Sequence, residues 1–396
     1  ALAVTGGAPV RAQTDGDCGT TSVEPNLVVG QFALDPAGIQ YVVAGPGILG
    51  IDPADGSTVV SIATPAIDVA LHPSGDILSL EPAAERVARF APDGTPSGQV
   101  DVGPINVGES SVAADGSGRI WVADPFTDSV RAFEDTGSLA LTLDATPAFE
   151  RPADIEIGPG GEVFVLDGFL GVIYSFGSDG TQLATTPTGP INTGEADLAV
   201  DTIGRLYVVD PYTDTLRVFS PTGEPLVTLV DDNFNPMLVR TRYVEASPDG
   251  AVLVADTFTD QVYRAVVPNA LGAGDIDLSA TAAPTAVSVG ETVDFVLTIE
   301  ATGDCPIGPF QASATSPPEL PVALPFLGPT GEPNVPVLSP DEPPMTTAVS
   351  GVAEGAGSHV VEFRVTGHGL DRTADVTVQV PPATTTTTTT TTTVPD

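Results

Sequence analysis

Asp68, Ser111, Asp154 and Asp197 follow one another at a constant spacing of 43 residues, with Gln31 and Tyr243 as the nearest equivalents before and after them. Three carboxylates held at equal radius around a common axis repel one another. A hard cation such as Ca2+, which accepts oxygen ligands in flexible geometry, would relieve that repulsion. Asp68, Asp154 and Asp197 are therefore candidate metal ligands, and Ca2+ is the candidate cofactor. With open coordination positions such an ion could polarise a carbonyl and activate water. The competing use of each carboxylate is to cap local backbone N–H groups where its own strand begins.

Little else in the chain offers catalysis. There is no Gly-x-Ser-x-Gly elbow, His-Glu-x-x-His helix, phosphate loop or Cys-x-x-Cys pair. The three histidines are His72, His359 and His368. His72 precedes a Pro-Ser-Gly turn and reads as a turn residue, and the other two lie far down the chain. All 13 basic residues are Arg, which excludes lysine Schiff-base chemistry.

A second periodic set accompanies the first. The stretches 120–128 (IWVADPFTD), 206–214 (LYVVDPYTD) and 252–260 (VLVADTFTD) share one pattern, and 163–171 (VFVLDGFLG) is a weaker copy. Their anchors Asp124, Asp167, Asp210 and Asp256 read as turn-stabilising residues. Phe126, Asp128, Tyr212, Asp214, Phe258 and Asp260 then fall at loop tips and form a candidate binding rim for a protein loop or a sugar chain.

The elements that must position both sets are short strands. Alternating runs end at tight turns such as 92–94, 178–180 and 248–250, and helical periodicity is almost absent. A unit of about 43 residues with four strands is one propeller blade, which must stack on its neighbours to bury its faces. Six such units run from 24 to 267. The last is one strand short, and the region from Ser22 to Gly30 offers a strand that could complete it and close the ring. Glu81 and Gly45 replace the anchor Asp in the first two units.

On these residues blades three to six resemble NHL repeats, in which a hydrophobic strand runs through Val-x-Asp to a Phe-x-x-x-Gly turn. Arg131 to Phe133 and Arg217 to Phe219, with the glycines that follow, match it well. The resemblance implies a six-bladed β-propeller. It extends to sensor propellers of actinobacterial membrane kinases and to gluconolactonase-like enzymes, so fold does not choose a function.

From Ile276 the pattern changes. Strand-like runs at 277–281, 287–299, 360–365 and 374–380 resemble bacterial immunoglobulin-like surface repeats, which implies a β-sandwich spacer. Pro317 to Pro344 reads as a long loop wrapped on it. Thr384 to Thr393 are ten consecutive threonines, which build no core and read as an extended stalk. The expected organisation is all-β: a leader remnant and arm at 1–23, propeller at 24–267, linker at 268–275, sandwich at 276–380 and Pro/Thr-rich stalk at 381–396. The run before Gln13 has the small-residue character of a signal-peptide end. Cys18 and Cys305, the only cysteines, are the expected disulfide of an exported protein.

A net charge of -39 disfavours nucleic acid and anionic membrane surfaces as partners. No apolar segment after the leader is long enough to insert in a membrane. The function expected is an extracellular, cell-surface binding or scaffold protein whose propeller associates with protein, glycan or copies of itself. A metal-dependent hydrolase or lactonase of the gluconolactonase-like class and a structural subunit of an extracellular filament are the alternatives.

Overall fold

Runs of four to six residues with alternating or fully apolar character, each closed by a glycine-containing turn, leave the backbone one economical solution, antiparallel hairpins. The computed structural model describes residues 18–105, 107–191, 195–230, 240–268, 274–303, 305–324, 335, 337–340, 342–367 and 370–382. The expected leader, the threonine stalk and His368 lie outside the described residues.

Six four-stranded antiparallel sheets form from residues 20 to 266. Their first strands are Phe32–Leu34, Asp68–Leu71, Ser111–Ala114, Pro152–Ile157, Asp197–Val200 and Thr241–Ala246. Each of these first strands packs on the next, and the last packs on the first, so the ring is closed. This is a six-bladed β-propeller. Apolar clusters fill the seams between blades. Leu78, Leu80 and Val87 of blade two meet Val112, Ile120 and Val122 of blade three, for example. Phe32 and Val42 of blade one meet Ala255 and Val262 of blade six in the same way.

Closure depends on the N-terminal arm. Thr20–Glu24 pairs antiparallel with Gln261–Val266 and supplies the fourth strand of blade six. The strand starts before the expected Ser22 and ends before Leu27, because the chain must turn there to enter blade one. Cys18, just ahead of this strand, is bonded to Cys305. The loop so closed spans 287 residues, which places the contribution of the bond at the upper end of about 2–5 kcal/mol.

Residues 275–380 form two three-stranded sheets that share one core. Asp275–Ala283, Thr292–Thr302 and Met345–Val352 make one sheet, and Gln311–Thr315, Gly357–Gly367 and Leu370–Val380 make the other. Phe295, Leu297, Phe310, Phe363 and Val378 are buried between them. Parts of the Pro-rich stretch also enter this core. Leu320 and Val322 are buried, and Val335 and Leu338 bridge to Phe310 and Ile307. The sandwich is stitched to blade five, where Thr228 donates its N–H to the Pro306 carbonyl and its hydroxyl to the Gly308 carbonyl. That contact explains why residues 225–229 of the outer strand are buried, unlike the outer strand Pro96–Asp101 of blade two. Among the described residues no helix is long and apolar enough to cross a membrane.

Candidate functional site

The register of the hairpins puts both periodic residue sets at one end of the propeller. Asp197 begins its inner strand and Asp154 lies near the start of its own, beside Val209 and Leu166, next to the ends of the second strands. The hairpins that follow Asp167 and Asp210 therefore rise around the same mouth of the channel.

The acidic ring is built from bonds between blades. Asp68 accepts the N–H of Val69 on one oxygen and that of Val112, in the next blade, on the other. Asp154 repeats this with Ile155 and Leu198, and also accepts the Ser111 hydroxyl at 2.6 Å. Asp197 accepts the N–H of Val244. Asp68 and Asp154 thus cap N–H groups of their own strands, as one of the two sequence readings had it, and all three carboxylates also tie their strand to its successor. Two residues further along the strands, Glu156 and Glu245 extend the cluster into a cavity of about 160 Å3 that Asp68 and Ser111 also line.

Among the described residues no arginine is ion-paired with this cluster, and its carboxyls are pushed toward the protonated form. Burial first, and the neighbouring Asp154 second, push Asp68 up to about 7 against the lowering effect of its backbone N–H bonds. Glu245 rises to about 8 through burial and the charges of Asp154 and Asp68. Glu156 is raised by burial and by Glu245. Asp197 is raised by burial, by the charge of Asp154 and by a hydrogen bond to Asp154 that only a protonated carboxyl can donate. Tyr243, the sixth-blade equivalent, is half-buried beside them and raised chiefly by burial. Gln31 lines the same cavity.

The three candidate ligands Asp68, Asp154 and Asp197 are brought together, but their oxygens are largely committed to backbone N–H groups. Among the described residues no group of three or more His, Cys, Asp or Glu side chains is arranged to hold a metal ion. His72 bonds Ser74 and the Gly118 carbonyl of the next blade, so it serves the turn and the seam. His359 bonds the Gly355 carbonyl in the sandwich, remote in sequence from the ring.

The second set does something different. Asp124 accepts the N–H of Phe126 and the hydroxyl of Thr127. Asp210 does the same for Tyr212 and Thr213, and Asp256 accepts the N–H groups of Phe258 and Thr259. Each buried anchor fixes a hairpin whose aromatic side chain points away from the core. Phe126 is 78% exposed, Phe258 70%, Phe169 61% and Tyr212 43%. These four are all the exposed phenylalanine and tyrosine side chains among the described residues, and they stand on equivalent hairpins of four consecutive blades. Asp128, Asp214 and Asp260 close those hairpins in left-handed conformation, with φ of 49°, 51° and 54°. Asp128 and Asp260 are exposed, while Asp214 accepts the N–H of Arg240.

Three positions escaped the sequence reading. Glu156 and Glu245 occupy the place held by Ala70, Ala113 and Ala199 in other blades. Reading the 43-residue frame two positions past the Asp set would have found them. Phe169, absent from the candidate rim, could have been found as the aromatic of the weaker copy, two residues after Asp167.

No protein-family model matches the chain, and no curated protein matches it. Among solved structures it is similar to a virginiamycin B lyase from Staphylococcus aureus, at 10% identity and a TM-score of 0.47 over 63% of this chain and 100% of that one. A gluconolactonase from Xanthomonas campestris is similar at 14% identity and a TM-score of 0.45 over 67% and 99%. A further structure described as a putative gluconolactonase gives 15% identity and a TM-score of 0.46 over 65% and 96%. At such distance these likenesses carry no argument about activity.

Proposed function

We propose that the chain is a non-catalytic, surface-displayed binding protein whose propeller engages a protein partner through the aromatic crescent of blades three to six. The observation that carries this reading is the concentration of Phe126, Phe169, Tyr212 and Phe258, all exposed, on one rim. Exposed aromatic side chains repeated around one rim are apolar surface that a partner can cover. Each hairpin is moreover held by a fully buried carboxylate, so the crescent is preorganised rather than loose. Of the classes open at the outset, a protein partner fits better than glycan, because phenylalanine offers neither the hydrogen bonds nor the broad platform that sugar rings use. In this reading the blades are NHL-type, the sandwich is an immunoglobulin-like spacer, and residues 381–396 continue as a stalk. The Cys18–Cys305 bond supports an oxidising, extracellular setting.

The hydrolase alternative loses its main support because the carboxylates it needs serve as ties between blades. A homo-oligomeric array is disfavoured by the mutual repulsion of chains carrying a net charge of -39. The test is retention of the purified chain on envelopes of the cells that make it, compared with a Phe126→Ser/Phe169→Ser/Phe258→Ser variant of equal thermal stability. Loss of retention in the variant is expected, and equal retention would refute the assignment.

A further inference from the structure

The crescent carries chemistry beyond its apolar area, and the inference that follows rests on the binding role just assigned to it. Three of its four hairpins repeat one unit: an exposed aromatic, a threonine and a carboxylate two residues after the aromatic. These are Phe126 with Asp128, Tyr212 with Asp214 and Phe258 with Asp260. We propose that each unit receives a cationic side chain of the partner, and that the partner is a polypeptide presenting arginine or lysine at intervals along an extended segment.

The physical basis is twofold. A guanidinium or ammonium group is attracted to an aromatic face, and a carboxylate two residues along the same hairpin supplies the counter-charge. Apart from Arg240, which lies against Asp214, the arginines of this rim are engaged elsewhere. Arg151 is paired with Glu109, Arg242 with Glu195, and Arg217 is buried against Asp210. Arg131 bonds the carbonyls of Val102 and Pro104. Among the described residues neither Asp128 nor Asp260 has an ion-pair partner. With 52 acidic residues against 13 basic ones, charge complementarity selects a basic partner over an acidic one and over a second copy.

The conformation of the carboxylates favours a clean test. Asp128 and Asp260 sit at φ of 49° and 54°, a region that Asn tolerates as well as Asp, so Asp128→Asn/Asp260→Asn removes charge without disturbing the hairpins. The control is Asp55→Asn/Asp93→Asn, which removes the same charge from exposed hairpins at the opposite end of the propeller. The probes are a fluorescein-labelled peptide of alternating arginine and glycine and its neutral counterpart with citrulline at each arginine. Binding to the full chain is read by fluorescence anisotropy.

The proposal expects the rim Asn pair to weaken the arginine peptide roughly tenfold, for two partly exposed charge contacts, and the distal pair to weaken it less than about twofold. Phe126→Ser/Phe258→Ser should weaken it as well. Equal losses from the two Asn pairs would mean general attraction to an acidic protein and would overturn the proposal. If the citrulline peptide binds as tightly as the arginine one, and only the Phe substitutions weaken it, the cationic partner is refuted while the binding role of the crescent stands. If no substitution on the rim changes either peptide, the cationic partner is refuted, and the binding role of the crescent rests on the envelope-retention test alone.

Discussion

Glu245→Gln separates a protonated channel from an ionised one. Its carboxyl is held at about 8 in the folded protein against 4.5 in an open chain, so the folded state binds the extra proton between those values. The sign follows directly. An acid whose folded value is raised makes no difference below about pH 4.5, and each pH unit above that removes about 1.4 kcal/mol of stability until about pH 8. The uncorrected limit is near 5 kcal/mol, but Glu245 is half-buried in a small polar cavity and shares its field with Glu156, Asp154 and Asp68. Screening and shared protons reduce the limit to about 2–4 kcal/mol. Gln keeps the shape and cannot ionise, so the variant should match the parent at pH 4.5 and exceed it by that amount at pH 8. At about 2 °C per kcal/mol for a propeller of about 250 residues, the difference in melting temperature is roughly 4–8 °C. Melting both proteins across pH 4 to 9 by circular dichroism makes the comparison. Curves that remain parallel over the whole range would show that the channel does not hold its protons, and the electrostatic account of the ring would be wrong.

Other expectations follow from the same contacts. Asp154→Ala removes the acceptor for Ile155, Leu198 and the Ser111 hydroxyl, and should destabilise the fold by about 2–4 kcal/mol in chemical denaturation at pH 6. Replacing both Cys18 and Cys305 by Ser opens the 287-residue loop and should lower stability by about 2–5 kcal/mol, with hydrogen exchange rising first along Thr20–Glu24. Arg217→Met strands the buried Asp210 carboxylate and the carbonyls of Thr188 and Pro190, and should cost about 3–5 kcal/mol. Phe126→Ser/Phe258→Ser should shift the melting temperature little, because the two side chains are 78% and 70% exposed.

Much of the propeller was legible because a period survives in sequence when equivalent positions do equivalent work. The anchors at 124, 167, 210 and 256 each organise a hairpin, so selection of residue type is local and repeats. What the period does not encode is which blade a side chain reaches. The bond from Asp68 to Val112 spans 44 residues, and nothing in either segment states that the acceptor lies across a seam. Glu156 and Glu245 were obscured for a related reason, since they break the pattern by replacing alanine where the channel has room. The sandwich was legible only at its long alternating strands. Gln311–Thr315 pairs with residues 362–366, and Met345–Val352 follows a proline-rich stretch, so neither has a local partner in sequence.

The most direct test of the central claim is to place a photo-crosslinking side chain at Phe126, at Phe258 and, as a control at the other end of the propeller, at Asp93. Each form is then irradiated on intact envelopes. Covalent adducts of one common mass from 126 and 258, with none from 93, are the expected result. An adduct from 93 with none from the aromatic positions would place the binding surface at the wrong end of the propeller and contradict the account.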